Sequence, residues 1–248
     1  MKTTWNAFLI LTLLTVAVSC KDDDESAPLS NEEAAEMIAA SLSESSSGLT
    51  VMVNESAETT TTAVDASDGG RINACGYTDT ESFSSSSPQG SLVTYNYTYS
   101  YSYVLACGLD VPQSMAVDIT YSGNFDAPRL ASEHAGTVDL AVTELDAAAA
   151  SYLINGDYST TGSFQSKIRN KTSTTSTIDI TVADLSVNKS TYTIEGGTAA
   201  ALITATATGK GTFTFTASIV FEGDGGATVT VNGTTYSVNL TTGDVSEI

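Results

Sequence analysis

The chain has 248 residues and a formal net charge of −20, from 29 acids against 9 Lys and Arg. That balance argues against nucleic acid as a partner, because phosphate binding needs clustered Lys and Arg, and it disfavours docking on anionic lipid. One His and three Cys, with no Cys-x-x-Cys spacing, are too few donors for a zinc centre, so neither a metal nor a cofactor is expected.

Met1 and Lys2 form a short basic start, and residues 7–18, AFLILTLLTVAV, are nearly all apolar. This run is shorter than the about 20 residues that cross a bilayer. It matches the apolar core of a secretory signal peptide, usually about 7–15 residues. The run ends in Val16-Ala17-Val18-Ser19-Cys20 and gives way at once to Lys21-Asp22-Asp23-Asp24-Glu25. Small residues before a cysteine resemble the lipobox of bacterial lipoproteins, with Ala17 where that family most often has Leu. The resemblance implies removal of residues 1–19 and lipidation of Cys20, with a diacylglycerol on the thiol and a third acyl chain on the freed amine. Two or more chains hold a protein firmly at a membrane where one does not. The same stretch also fits an ordinary secretory cut that releases a soluble chain beginning at Cys20. Lys21, Asp22 and Asp23 resemble the export signal of surface lipoproteins of the Bacteroidota, which implies display on the outer face of the outer membrane. A solvated acidic tether over residues 20–29 is the plainer reading of the same charges. The likeness covers signal and tether only.

If Cys20 carries lipid, Cys75 and Cys107 remain, and an oxidising compartment pairs two. Their disulfide would close a 33-residue loop, which the chain-entropy account values at roughly 3–4 kcal/mol. The acidity is uneven: residues 21–146 hold 21 acids against 3 bases, and residues 147–248 hold 8 against 5. A soluble, self-repelling surface is the simplest meaning of this charge.

Residues 30–248 read as one mainly β domain. Ser30 and Glu33 have the spacing of a capping box, and Ala34, Met37, Ile38 and Leu42 fall at helical intervals. One helix over about 31–43 is expected. Leu49–Val53 reads as a short strand, and TTTTAVDASDGG as a low-complexity stretch. From Arg71 the apolar period is two, with strands near 72–83, 92–106, 115–125, 136–143, 151–166, 176–187, 190–195, 199–208, 211–222, 226–232 and 234–240. Asn232-Gly233 predicts a two-residue hairpin turn, which sets Val229 opposite Tyr236 and Ala227 opposite Val238. Gly223–Gly226 predicts another turn. Short connections without alternating helices imply an antiparallel sheet, as an open barrel or a sandwich. Faces rich in Ala, Thr and Val point to a thin or strongly curved sheet.

Tyr95, Tyr97, Tyr99, Tyr101 and Tyr103 alternate along one strand, so all five rings share a face. Either they pack the core with hydroxyls reaching rim partners, or they form an exposed platform for sugar rings or a partner's apolar side chains. Enzymatic signatures are thin. Ser186-Val187-Asn188-Lys189 matches Ser-x-x-Lys but lies at a strand end without companion motifs. His134, flanked by Glu133, is the one candidate general base, and a hydrolase would need a cleft converging on it; no nucleophile can be assigned to it, and a lone loop histidine is more often simply solvated. The pairs Asp22-Asp23 and Glu32-Glu33 read as tether and helix surface, away from any burial that would shift a pKa. DASDGG (65–70) and EGDGG (222–226) offer oxygens without the spacing of a dedicated calcium loop, and turn chemistry explains both. The expectation is an outer-membrane, cell-surface lipoprotein that is a non-enzymatic binding or adhesion module for a glycan or protein partner. The alternative is a structural or carrier lipoprotein whose curved sheet holds an apolar ligand.

Overall fold

The computed structural model describes residues 29–68, 75–168 and 172–248. Helix α1 spans Asn31–Leu42, a single 3-10 turn follows at Glu44–Ser46, and helix α2 spans Leu49–Asp68. Eleven strands follow among the described residues: β1 Thr78–Ser86, β2 Thr94–Gly108, β3 Val111–Asp126, β4 Leu130–Thr143, β5 Ser151–Ser166, β6 Ser173–Asn188, β7 Ile194–Ala207, β8 Gly211–Phe221, β9 Gly226–Val231, β10 Thr234–Asn239 and β11 Val245–Glu247. They form one antiparallel sheet in chain order, β1 to β11, not closed into a barrel. A meander is the simplest topology available to strands joined by short turns.

The start of α1 follows its local chemistry. Ser30 Oγ accepts from the Glu33 backbone N–H at 3.1 Å, and the Glu33 carboxylate accepts from the Ser30 backbone N–H at 2.9 Å. The helix runs one residue short of the expected range. The strand expected at Leu49–Val53 is instead the first turn of α2, and the adjoining low-complexity stretch continues that helix to Asp68. Leu49, Met52, Val53, Ser56, Ala57, Thr60 and Ala63 are buried at helical spacing. The two buried hydroxyls fold back on the carbonyls one turn earlier, Ser56 Oγ on Met52 O and Thr60 Oγ1 on Ser56 O, both at 2.7 Å. That satisfies those two inside the helix, whereas Thr50 Oγ1 in the first turn is buried without a partner among the described residues.

Laid flat, eleven strands would span roughly 50 Å. Yet α1 meets β9, β10 and β11, while α2 meets β3, β4 and β5, and Ser47 between the helices reaches Tyr99 on β2. A short helical segment that touches both ends of the strand order requires the sheet to curl around it. Alternate residues of every long strand are buried on that inner face, and Thr, Ser and Asp dominate the outer one. Gly123, His134 and Gly162 are cross-strand neighbours on the inner face. A Cβ at Gly162 would stand 2.4 Å from His134 Cβ, and one at Gly123 would stand 2.4 Å from the Tyr97 ring. Absent side chains there let the strands press beneath large rings, one means by which a sheet curves.

The Asn232-Gly233 hairpin has the expected register, Val229 against Tyr236 and Ala227 against Val238, with φ of 46° and 89° at the two turn residues. The expected strand at 190–195 is a turn, and its last residues open β7. Asn188 Oδ1 accepts from the backbone N–H groups of Ser190 and Thr191 and holds the chain in that bend. Strand β11, only three residues long, lies beyond the last strand that the sequence pattern predicts. The Cys75–Cys107 disulfide is formed, with Cα atoms 5.4 Å apart, and ties the approach to β1 onto the end of β2.

The buried aromatic row and the seam cavity

The tyrosine row lies inward. Tyr97, Tyr99, Tyr101 and Tyr103 are 1–2% exposed, and Tyr95 alone is half-buried. The rings stack on one another and on neighbours, Tyr101 on Tyr103 at 5.7 Å and Tyr99 on Tyr121 at 6.2 Å. Core packing therefore describes the row, and the four buried rings do not form an exposed platform. Most hydroxyls find partners inside. Tyr99 donates to Ser47 Oγ at 2.6 Å, Tyr121 donates to Tyr158 at 2.6 Å, and Thr59 donates to Tyr103 at 3.5 Å. The Tyr101 hydroxyl is buried without a partner among the described residues. Burial disfavours the phenolate of each of the four buried rings, pushing Tyr103 up to about 12 and the more enclosed Tyr97, Tyr99 and Tyr101 further.

His134 is a strand residue of β4 and is buried, not a solvated loop residue. Tyr97, Tyr121, Phe125 and Phe164 box its ring, with Phe164 stacked at 5.8 Å. Its Nδ1 lies 2.5 Å from Ser132 Oγ and its Nε2 3.3 Å from Tyr97 Oη. Burial lowers its pKa to about 4, so the imidazole is neutral at pH 7. Glu133 is exposed while His134 is buried, because successive strand residues point to opposite faces. Glu133 therefore stands across the sheet from the imidazole, and among the described residues no carboxylate is hydrogen-bonded to it.

The Glu32-Glu33 pair also departs from a solvated helix surface. Glu33 is 4% exposed and Glu36, one turn on, is 5% exposed. Arg129 bridges Glu36 Oε1 at 2.6 Å and Glu32 Oε1 at 2.9 Å. Burial outweighs the nearby guanidinium and holds the Glu36 carboxyl above its ordinary range. Glu222 and Asp224 act in turn chemistry: Glu222 accepts from Thr228, and Asp224 accepts from the Gly226 backbone N–H at 3.1 Å. Among the described residues no group of three or more His, Cys, Asp or Glu has metal-binding geometry. Ser186–Lys189 ends β6 and starts the following turn, with Lys189 over the Tyr152 ring at 4.7 Å. Cys20, Lys21, Asp22 and Asp23 lie outside the described residues; of the stretch 65–70, residues 65–68 end helix α2 and the two glycines lie outside the described residues.

One cavity of about 840 Å³ opens where the sheet fails to close. The β1–β2, β3–β4 and β10–β11 turns and the end of α1 all reach it. Its apolar wall includes Ala40, Leu92, Val93, Phe125, Leu130 and Val245, and Tyr95 stands beside them. Glu36 and Arg129 occupy one side. Of the five tyrosines, only Tyr95 lines this space. None of the other wall residues stands out in the sequence, since they come from four separate segments, although Leu92-Val93 next to a turn is a local hint.

Comparison of the chain with protein-family models, curated proteins and solved structures finds no match.

Proposed function

We propose that the protein is a non-enzymatic ligand-binding lipoprotein, anchored in the outer membrane through Cys20 and displayed at the cell surface, and that its seam cavity takes a small, mainly apolar ligand. The cavity carries this reading. Its volume falls in the about 300–1,000 Å³ of small-molecule sites, which combine apolar walls with few polar groups. Burial of a ligand's apolar surface contributes roughly 25 cal/mol per Å². The rest of the inner face is filled by α1, α2 and the aromatic row, which favours a compact ligand over another protein's acyl chains. Burial of Tyr97 to Tyr103 likewise leaves a glycan platform without support.

An environment-sensitive apolar dye should brighten on binding the protein, and Ala40→Trp should abolish that signal while the circular dichroism stays unchanged. Ala40 is half-buried on α1 and faces the cavity, so an indole there fills the space without displacing core. Undiminished binding by the variant would remove the cavity from consideration.

The address rests on the lipobox and the acidic tether. Cys20→Ser should abolish metabolic labelling with palmitate and move the protein from the membrane to the soluble fraction. Protease added to intact cells should degrade the wild-type protein, and survival there would place it on the periplasmic face.

A further inference from the structure

Strand β1 ends the sheet, and among the described residues it pairs with β2 alone. Leu105 N donates to Tyr77 O at 2.9 Å and Ser87 N donates to Tyr95 O at 3.0 Å. In an antiparallel ladder the bonded positions alternate. Odd-numbered residues of β1 therefore bond to β2, and Thr78, Thr80, Ser82, Ser84 and Ser86 turn their backbone N–H and C=O outward. All five are exposed. The strand is nine residues long, with no Pro, Lys or bulge, and the charges of Asp79 and Glu81 are its one guard against indiscriminate pairing. Such an edge is a template for another strand.

What kind of strand it fits is set by its charge. Asp79 and Glu81 lie on the inner side of β1, and Glu55 and Glu58 of α2 belong to the same acidic zone, with Glu55 held above its ordinary range by burial and by Glu58 and Glu81. Among the described residues no Lys or Arg is bonded to these four acids. Beyond them on β1 comes Phe83, 37% exposed and stacked on Tyr101 at 5.5 Å. A second copy of this chain would bring the same four acids against themselves.

We propose that the free edge of β1 docks an extended segment of a partner protein as an added strand, one carrying Lys or Arg at alternate positions opposite Asp79 and Glu81 and an apolar residue opposite Phe83. Main-chain bonds to the outward-turned groups supply affinity, and alternate side chains supply selection. Residues on the partner's other face meet the Thr and Ser row of β1 and are small or polar. The site is separate from the seam cavity, and its occupancy does not depend on the ligand proposed there.

The test uses the full chain and a fluorescein-labelled nonapeptide with two Lys and one Val alternating with Thr, followed by fluorescence anisotropy and amide hydrogen exchange. Binding should slow exchange at Thr80, Ser82 and Ser84, and exchanging the two Lys for Glu should abolish it. Glu81→Gln, which leaves the ladder intact, should weaken it about tenfold. Ser82→Pro, which removes an outward N–H, should weaken it similarly. Three results would overturn the proposal. One is absence of binding. Another is binding indifferent to all three changes. The third is protection of these amides before peptide is added, with a dimeric mass assigning the edge to a second copy and a monomeric mass assigning it to the chain's own residues.

Discussion

Tyr99→Ala is expected to cost about 3–5 kcal/mol of folding stability, the range for truncating a large buried side chain. The ring is 1% exposed, touches Tyr97, Tyr101, Tyr121 and Phe83, and its hydroxyl holds Ser47 in the corner between the helices. Truncation opens a cavity in the aromatic row and also loosens the attachment of α1 and α2 to β2. Domains are stable by only about 5–15 kcal/mol, so the variant should unfold at markedly lower denaturant. Tyr99→Phe keeps the ring and should cost only about 1–2 kcal/mol through the lost hydrogen bond. Urea unfolding followed by circular dichroism separates the two. A Tyr99→Ala protein of wild-type stability would mean that the row is surface and not core.

The second large effect concerns pH. An unfolded histidine titrates near its ordinary value of about 6.5, whereas His134 in the fold is lowered to about 4 by burial. Below 6.5 the unfolded chain takes up a proton that the folded chain refuses. The stability associated with the neutral imidazole is complete above pH 6.5, declines as pH falls, and is gone once pH passes through about 4. The total is about 3 kcal/mol. Glu36 works in the opposite direction, since its raised pKa makes the folded state the better proton acceptor in mild acid. The comparison is therefore between the wild type and His134→Gln, which keeps hydrogen-bonding capacity and does not titrate. Between pH 7 and pH 4.5 the wild type should lose more stability than the variant in urea titrations. Parallel pH profiles would show that the histidine is solvated.

These two expectations rest on residues whose local sequence suggested something else. SEHAG, with a glycine close by, reads as a loop, yet its histidine is a strand residue whose neighbours on the inner face are Gly123 and Gly162. The pairing of a large ring with glycine across strands is invisible in a one-dimensional pattern, because the partners are 11 and 28 residues away in sequence. The misreading of Leu49–Val53 has a different origin. Five residues of apolar and β-branched character favour a strand locally, whereas over the whole stretch the buried positions recur at helical spacing. Tertiary packing outweighed propensity there. The seam cavity was the least legible feature, being assembled from a helix end and three turns.

What the sequence determined by itself was local: the Ser30–Glu33 capping box, the Asn232-Gly233 hairpin with its register, the period-two strands and the antiparallel sheet they form. Each depends on groups a few residues apart, whose chemistry acts before any distant segment arrives. The residues around Cys20 that resemble a lipobox, and the acids after them, are local in the same way, and the address drawn from them stands as a proposal. What only the tertiary structure decided was which way each face looks. The tyrosine row alternates identically whether it faces water or core, and α1, α2 and the curl of the sheet around them put it inside. Burial is a property of what packs from afar, so the core, the neutral histidine, the open edge of β1 and the cavity at the seam all followed from how the sheet closes on its helices, and from where it stops.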